Sequence, residues 1–282
     1  MPRRLRKIAE IATLYDVVLC DVWGVLHNGI EPFPLAAEAL KAARGRGQSV
    51  VLVTNSPRPT DDVIDQLETI GVDRDCWDDI VTSGDVTRGL VTEGPRKIYF
   101  LGPDRDLMLI DGLDVERVSA EDAEIIVCTG LFDDETETPE SYRDMLASFR
   151  ARGLAMICAN PDIVVERGDR IIYCAGALAA SYREIGGETR IAGKPHSPIY
   201  VEALRRASVL RGALDPARVV AIGDGVATDI RGAIGNGLEV VYVARGVHAR
   251  AYSDGRRTDE ARLGAFLKAE DVSPAYWMEW LA

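Results

Sequence analysis

The chain has 282 residues, 47% hydrophobic and 28% charged, which is the composition of an ordinary globular protein able to bury one large core or two modest ones. Its net charge of −12 argues against a nucleic-acid scaffold, because the phosphate backbone would be repelled overall. A small anionic substrate stays allowed, since a local cation or metal can reverse the field inside a cleft.

The first stretch, MPRRLRKIAEIATLYD, is basic, but no apolar leader core follows it. No apolar run approaches membrane-spanning length, so a cytoplasmic protein without a membrane partner is expected. VVLCDV (17–22) reads as a buried strand. Leu35, Ala36, Ala39, Leu40 and Ala43 are spaced as on one helix face over 35–46. VVLVTN (50–55) is the next strand, and Thr60 can cap a helix over 60–70 that Gly71 ends. KIYFLG (97–102) and EIIVCTG (124–130) are short strands, followed by a helix over 139–152 ending at Gly153. LAMICAN (154–160) and RIIYCAG (170–176) are strand-like, with helices over 177–185 and 198–211 after them. VVAIGD (219–224) and VVYVARG (240–246) are strands flanking a helix over 229–236. This alternation argues for a parallel α/β sheet with helices on both faces. Cys20, Cys76, Cys128, Cys158 and Cys174 form no CxxC pair and read as reduced core residues. VTNSP (53–57) and CANPD (158–162) both place Asn and Pro just after a strand, an echo that similar units or chance can produce.

In open parallel sheets the ligand crevice lies outside the carboxyl ends of the strands. Three apolar strands here end in Asp21, in Thr54-Asn55, and in Asp224 within GDGVATD. A single Asp after a strand is most simply a cap or turn residue. Three such ends, together with the lysine of AGKPHSP, are far more specific.

The succession DVWG (21–24), TNS (54–56), GKP (193–195) and GDGVATD (223–229) resembles the haloacid dehalogenase superfamily. It is most similar to the branch with a type IIA cap, which includes nitrophenyl, pyridoxal, nucleotide and sugar phosphatases. The resemblance implies a Rossmann-like parallel-sheet core with an inserted smaller α/β cap of type C2. It implies Asp21 as the nucleophile that becomes an aspartyl-phosphate. Asp224 would ligate Mg²⁺ together with Asp21 and the backbone carbonyl of Trp23, with Asp229 supporting the metal. Thr54, the amide of Asn55 and Ser56 would hold phosphate oxygens, Gly24 would bring backbone N–H groups close, and Lys194 would balance the charge. Hard oxygen ligands around Mg²⁺, with a lysine beside them, would cancel the repulsion between a carboxylate and a phosphate dianion. The implied partner is a small phosphorylated metabolite, with a homodimer through the cap as a further expectation.

About 140 residues separate TNS from GKP, too many for a loop. The expected division is therefore 1–82 plus 192–282 for the core and 83–191 for a cap that closes over the site. CTGLFDDE (128–135), ANPD (159–162) and CAGAL (174–178) resemble cap segments and are candidates for substrate contact, although Asn160 and Asp162 suit a turn better. The aromatics of AYWMEWLA (275–282) are expected to dock in the core.

One residue departs from the pattern. Phosphatases of the family carry an acid two residues after the nucleophile, which protonates the leaving oxygen and later deprotonates water. Trp23 does neither, because an indole only donates a hydrogen bond. Positioned acid–base catalysis is typically worth ~10²–10⁴-fold. His27 is the nearest titratable substitute, and Asp162 or the run Asp133, Asp134, Glu135 are others. A turn histidine and a solvated loop are the plainer readings of these. Three functions follow: a phosphatase with an impaired or substituted proton step, a binder of phosphorylated metabolites with little or no turnover, or a dehalogenase. Dehalogenases of the superfamily also carry an aromatic residue there, since halide leaves without a proton. The retained GDGVATD metal pattern favours phosphate.

Overall fold

The computed structural model describes residues 1–167, 170–255 and 257–282. Strands β1 (Arg3–Arg4), β2 (Val17–Cys20), β3 (Ser49–Thr54) and β4 (Asp79–Thr82) come first. Next come β5 (Lys97–Leu101), β6 (Glu116–Arg117), β7 (Ile125–Cys128), β8 (Ala155–Cys158), β9 (Val164–Arg167), β10 (Arg170–Tyr173) and β11 (Thr189–Ile191). The last are β12 (Val219–Gly223), β13 (Glu239–Val243) and β14 (Tyr276–Met278). Between them run α1 (Pro34–Gly45), α2 (Thr60–Ile70), α3 (Ser83–Thr92) and α4 (Arg143–Ala151), then α5 (Ala175–Glu184), α6 (Ser197–Arg211), α7 (Arg231–Gly235) and α8 (Glu260–Ala269).

The chain divides into two compact units, one of Met1–Thr54, Ile64–Val81 and Tyr200–Ala282, the other of Asn55–Val63 and Thr82–Ile199. The expected cap, 83–191, falls within the second. Flanking residues group with it for a local reason: Asn55 bonds Lys194 and Asp162, and the Gly84 N–H donates to the Ser56 carbonyl.

The first unit is built on a 7-stranded sheet in the order β1-β14-β13-β12-β2-β3-β4. From β1 through β3 neighbouring strands pair in parallel. β2 and β3 are wholly buried, and β12 likewise, which is why their sequences read as apolar runs without alternation. The chain steps from β2 to β3 to β4 in one direction. After the second unit it returns on the other side of β2, through β12, β13 and β14. The strand order therefore reverses between β2 and β12, where crossovers part and leave a crevice at the carboxyl ends.

The second unit has a 5-stranded parallel sheet, β11-β8-β7-β5-β6, and an antiparallel hairpin of β9 and β10. Leu101, Ile126, Cys128, Phe149, Leu178 and Tyr182 pack on one side, and Val91, Ile98, Leu109, Val127 and Ile157 on the other. With both faces covered, this sheet too is made of continuous apolar strands.

All five cysteines are free and buried, as expected. No helix among the described residues is long and apolar enough to cross a membrane. Several elements differ from the sequence reading. RIIYCAG supplies β10, which pairs antiparallel with β9 outside the parallel sheet. The segment 139–152 opens as a 3-10 turn, Pro139–Tyr142, before α4. Asp229 lies inside a π-helical turn, Val226–Ile230, and α7 begins only after it. AYWMEWLA forms β14 at the sheet margin, so Trp277 is buried at 1% exposure while Trp280 remains 41% exposed.

Candidate active site

Three adjacent central strands, β12, β2 and β3, end together. Asp21 is the residue after β2, Thr54 closes β3, and Asp224 follows β12. The register pairs Cys20 with Ile222 and with Leu52, so these ends lie side by side. All three side chains are buried although polar. The Asp21 N–H donates to the Ile222 carbonyl at 2.8 Å, extending the ladder one residue beyond the strand and fixing where its carboxyl starts.

Carboxylate oxygens of Asp21, Asp224 and Asp229 lie within 4.8 Å of one another, and each residue is buried. Like charges this close in a poorly solvated place repel strongly. Backbone contacts hold two of them there. The Val247 N–H donates to Asp224 Oδ2 at 2.8 Å, and the Gly225 N–H donates to Asp229 Oδ2 at 3.0 Å. Gly24, at φ +83°, and Gly246 both press on the Asp224 carboxylate. A Cβ would come within 2.2 Å of its Oδ2 at Gly24 and within 2.0 Å at Gly246. Only a residue without a side chain fits either position, and Gly24 alone also needs the left-handed backbone.

Trp23 is half-buried beside this cluster in sequence. Its ring meets His27 edge-on, with centroids 5.1 Å apart. It also covers Gly29, where a Cβ would approach the ring to 2.5 Å. His27 is a turn residue, as its plainer reading has it, and at 2% exposure it is buried and does not fit the acid role. Burial pushes its pKa down to about 4, and its Nδ1 accepts the Gly29 N–H at 2.8 Å. A neutral ring then carries its one proton on Nε2, with the other nitrogen already engaged. At neutral pH it has no acidic proton to give.

A second group of expected residues meets within the second unit. Lys194 is buried, and both its backbone groups are bound by the Asn55 side chain: Lys194 N–H donates to Oδ1 at 2.7 Å, and Nδ2 donates to the Lys194 carbonyl at 3.1 Å. Nδ2 also donates to Asp162 Oδ1 at 2.8 Å. Ser56 Oγ accepts from the Arg58 N–H at 3.3 Å, a turn contact. The acidic run is a surface loop with Asp133 and Glu135 exposed, as its plainer reading has it, and ion pairs pin it. Asp134 pairs with Arg105 and Arg167, and Glu135 with Arg170. Asp133 accepts from Thr136 Oγ1 and the Glu135 N–H, and the Thr136 hydroxyl heads the contacts that lower its pKa.

Residues 18–116 match the haloacid dehalogenase-like hydrolase family and residues 191–263 the HAD-hydrolase-like family. The ribonucleotide monophosphatase NagD of Escherichia coli K12 is 31% identical over 240 residues, 82% of this chain and 88% of that protein. The chain belongs to the haloacid dehalogenase-like hydrolases. Within that superfamily it is a member of the type IIA cap branch. The 5'-nucleotidase YutF of Bacillus subtilis 168 is 25% identical over 244 residues, 84% of this chain and 90% of that one. The crystal structure of a haloacid dehalogenase-like hydrolase from Brucella suis 1330 superposes with a TM-score of 0.89 at 48% identity, covering 100% of both chains.

Sequence reasoning missed Gly246, Val247 and His248, which line up behind the acidic cluster. His248 Nε2 accepts the Val226 N–H at 3.2 Å and so steadies the π-turn that carries Asp229. Their only signal was position, just past a strand at the same end of the same sheet.

Proposed function

We propose that this hydrolase cleaves small phosphate monoesters, a sugar phosphate or nucleotide-like metabolite, with Mg²⁺ held by Asp21, Asp224, Asp229 and the Trp23 carbonyl. The observation that carries the reading is the convergence of three buried carboxylates within 4.8 Å at the strand reversal. An all-oxygen, anionic donor set of this kind suits a hard divalent cation. When bound, the ion supplies positive charge that screens an incoming phosphate from the carboxylates.

In this reading Asp21 attacks phosphorus, an Asp21 O–P bond forms, and the ester P–O bond breaks with its electron pair going to the leaving oxygen. Thr54, Ser56 and the backbone amides of Gly24 and Asn55 bind the phosphate oxygens, and Lys194 balances their charge. Water then attacks the same phosphorus, the Asp21 O–P bond breaks with its electron pair returning to the carboxylate, and the water's proton leaves on the phosphate product or to solvent. Neither Trp23 nor neutral His27 handles the proton in these steps. The expected result is a phosphatase whose turnover depends on leaving groups that depart without help. The names of NagD and YutF, a ribonucleotide monophosphatase and a 5'-nucleotidase, support the substrate class. Trp23 also supports a second reading, ranked behind the first, of a phosphometabolite binder with slow or no turnover. A homodimer through the cap belongs to the same proposal, and Ile171, 63% exposed in the β9–β10 hairpin, is a surface it can use.

A panel of aryl and alkyl phosphates assayed with Mg²⁺ tests the reading. Wild type is expected to favour aryl esters strongly. Trp23→Asp should raise alkyl-ester turnover by up to ~10²–10⁴-fold. Equal wild-type rates on both ester types would reveal another proton donor, and failure to bind Mg²⁺ would end the phosphate reading.

A further inference from the structure

The Asn55 carboxamide is fully committed. Its Oδ1 takes the N–H of Lys194 and its Nδ2 gives one proton to the Lys194 carbonyl, at 2.7 and 3.1 Å. The two contacts grip the peptide groups on both sides of the Lys194 Cα, so they set the torsions from which the lysine side chain springs. The remaining Nδ2 proton goes to Asp162 Oδ1 at 2.8 Å, 107 residues away along the chain. Without that acceptor the carboxamide loses what orients its third edge, and its two lysine contacts loosen.

Asp162 is itself held. Its N–H donates to Asn160 Oδ1 at 3.1 Å. Gly176, in the first turn of α5, packs on the same loop so closely that a Cβ would lie 2.1 Å from the Pro161 carbonyl and 2.5 Å from that of Asp162. Gly193 is equally confined, with a Cβ reaching 2.5 Å from Asn55 Oδ1 and 2.8 Å from the Pro161 ring. The NPD loop after β8, the residue after β3 and the residue before Pro195 are therefore locked into one rigid knot. The paired Asn-Pro signals of VTNSP and CANPD meet here.

We propose that Asp162 is a positioning residue for Lys194, acting through the Asn55 carboxamide, so that the second unit's NPD loop sets the aim of the site's lysine. The proposal rests on the reading of Lys194 as the cation of the phosphate site. A charged acceptor is suited to the task, since a hydrogen bond to an ionised group is shorter and stronger than a neutral one. In this scheme the carboxylate acts on the lysine through Asn55 and is not a catalytic residue.

The test compares Asp162→Ala, Asp162→Asn, Lys194→Ala and the Asp162→Ala/Lys194→Ala double variant. The readouts are inorganic phosphate affinity with MgCl₂, p-nitrophenyl phosphate kinetics, and hydrogen exchange of the Lys194 amide. Asp162→Ala should weaken phosphate binding and lower kcat/KM by about tenfold, the order expected for one hydrogen bond to a charged group. Asp162→Asn, whose Oδ1 still accepts, should stay within about threefold of wild type. In the Lys194→Ala background the Asp162→Ala change should add nothing, because two residues on one path are not additive. The Lys194 amide should exchange faster in Asp162→Ala and at the wild-type rate in Asp162→Asn. If Asp162→Ala does not fold, Asp162→Ser replaces it, since the Asn160 contact uses the residue 162 backbone.

Unchanged phosphate affinity and amide exchange in Asp162→Ala would overturn the proposal. So would an effect that persists undiminished without Lys194, which would mean that Asp162 acts on its own account. If wild type neither binds phosphate nor turns over any ester, the phosphate reading fails. The Lys194 amide then decides the tie alone: faster exchange supports it and unchanged exchange refutes it.

Discussion

In the first unit the strand order reverses between β12 and β2, and the residues just past those strands are Asp224 and Asp21. In the second it reverses between β5 and β7, where the chain continues as Gly102 and Thr129. By the same rule each reversal marks the carboxyl edge where a crevice is expected. What fills it differs. At the first, glycine backbone presses against a carboxylate and three aspartates gather. At the second, Gly102 approaches Thr129 so closely that a Cβ would lie 1.9 Å from Oγ1, and that hydroxyl is buried without a hydrogen-bond partner. Topology provides the place, and the side chains at the strand ends decide whether chemistry can happen there.

The sharpest way to break this contrast is Asp21→Asn. It should lower aryl-phosphate turnover by at least ~10³-fold, the scale of losing a nucleophile. Because it removes one of three crowded charges, it should also raise the Tm of the metal-free protein by about 2–4 °C, roughly 1 kcal/mol. A lost activity accompanied by a lower apo Tm would mean that the three carboxylates are not in mutual strain.

Acid should expose the first unit through His27. Its folded pKa is about 4, below the value of about 6.5 for an exposed imidazole, so the unfolded chain takes the proton more readily. The stabilising effect is complete above pH 6.5 and is lost as pH falls from there toward 4. The full difference corresponds to ~3 kcal/mol. His27→Asn retains an acceptor for the Gly29 N–H but does not titrate. Urea unfolding of wild type and variant between pH 7 and 4 should show the variant's stability falling less steeply. Parallel slopes would remove His27 from the account.

The two reversals can also be set directly against each other. Gly246→Ala drives a methyl into the Asp224 carboxylate and Gly102→Ala drives one into Thr129. Each should cost about 1–3 kcal/mol by overpacking. Only Gly246→Ala should weaken Mg²⁺ binding, measured calorimetrically. Equal losses of metal affinity would show that the second reversal also belongs to the site.

Much of this was legible in the sequence where one residue carries one signal. Asp21, Thr54 and Asp224 announce themselves because an apolar run stops on a polar residue, and α2, Thr60–Ile70, ends where Gly71 places it, whereas the Thr60 hydroxyl donates to Asp85. The acidic convergence was legible only through the order of the motifs. Asp229 was read as a helix start, since nothing local marks a π-turn whose support is a distant histidine, His248. The Asn55–Asp162 contact was invisible for the same reason: either residue suits a turn, and their pairing depends on folding that joins positions far apart. β10 reads as a parallel strand because Ile171 and Ile172 are apolar, yet Ile171 points outward on a hairpin. Apolar character reports burial on average and does not name the partner strand.

The smallest effect separates two buried hydroxyls of the second unit. Tyr182 donates to the Leu154 carbonyl at 2.6 Å, whereas Thr129 Oγ1 lacks full hydrogen-bond geometry and lies only near enough to Asp106 to help hold its pKa down. Asp106 is itself pushed upward in pKa, first by burial, with Arg105 and Arg58 pulling the other way. Tyr182→Phe removes a satisfied bond and strands a carbonyl, so it should destabilise by about 1 kcal/mol. Thr129→Val exchanges an unpartnered hydroxyl for a methyl of the same size and should be neutral or stabilising by up to about 1 kcal/mol. Neither should change aryl-phosphate kcat, because neither touches the acidic cluster. Chemical denaturation midpoints that moved the same way for both variants would mean the Thr129 hydroxyl is bonded after all. The second reversal would then be a filled polar site, and its likeness to the first would be closer than the packing shows.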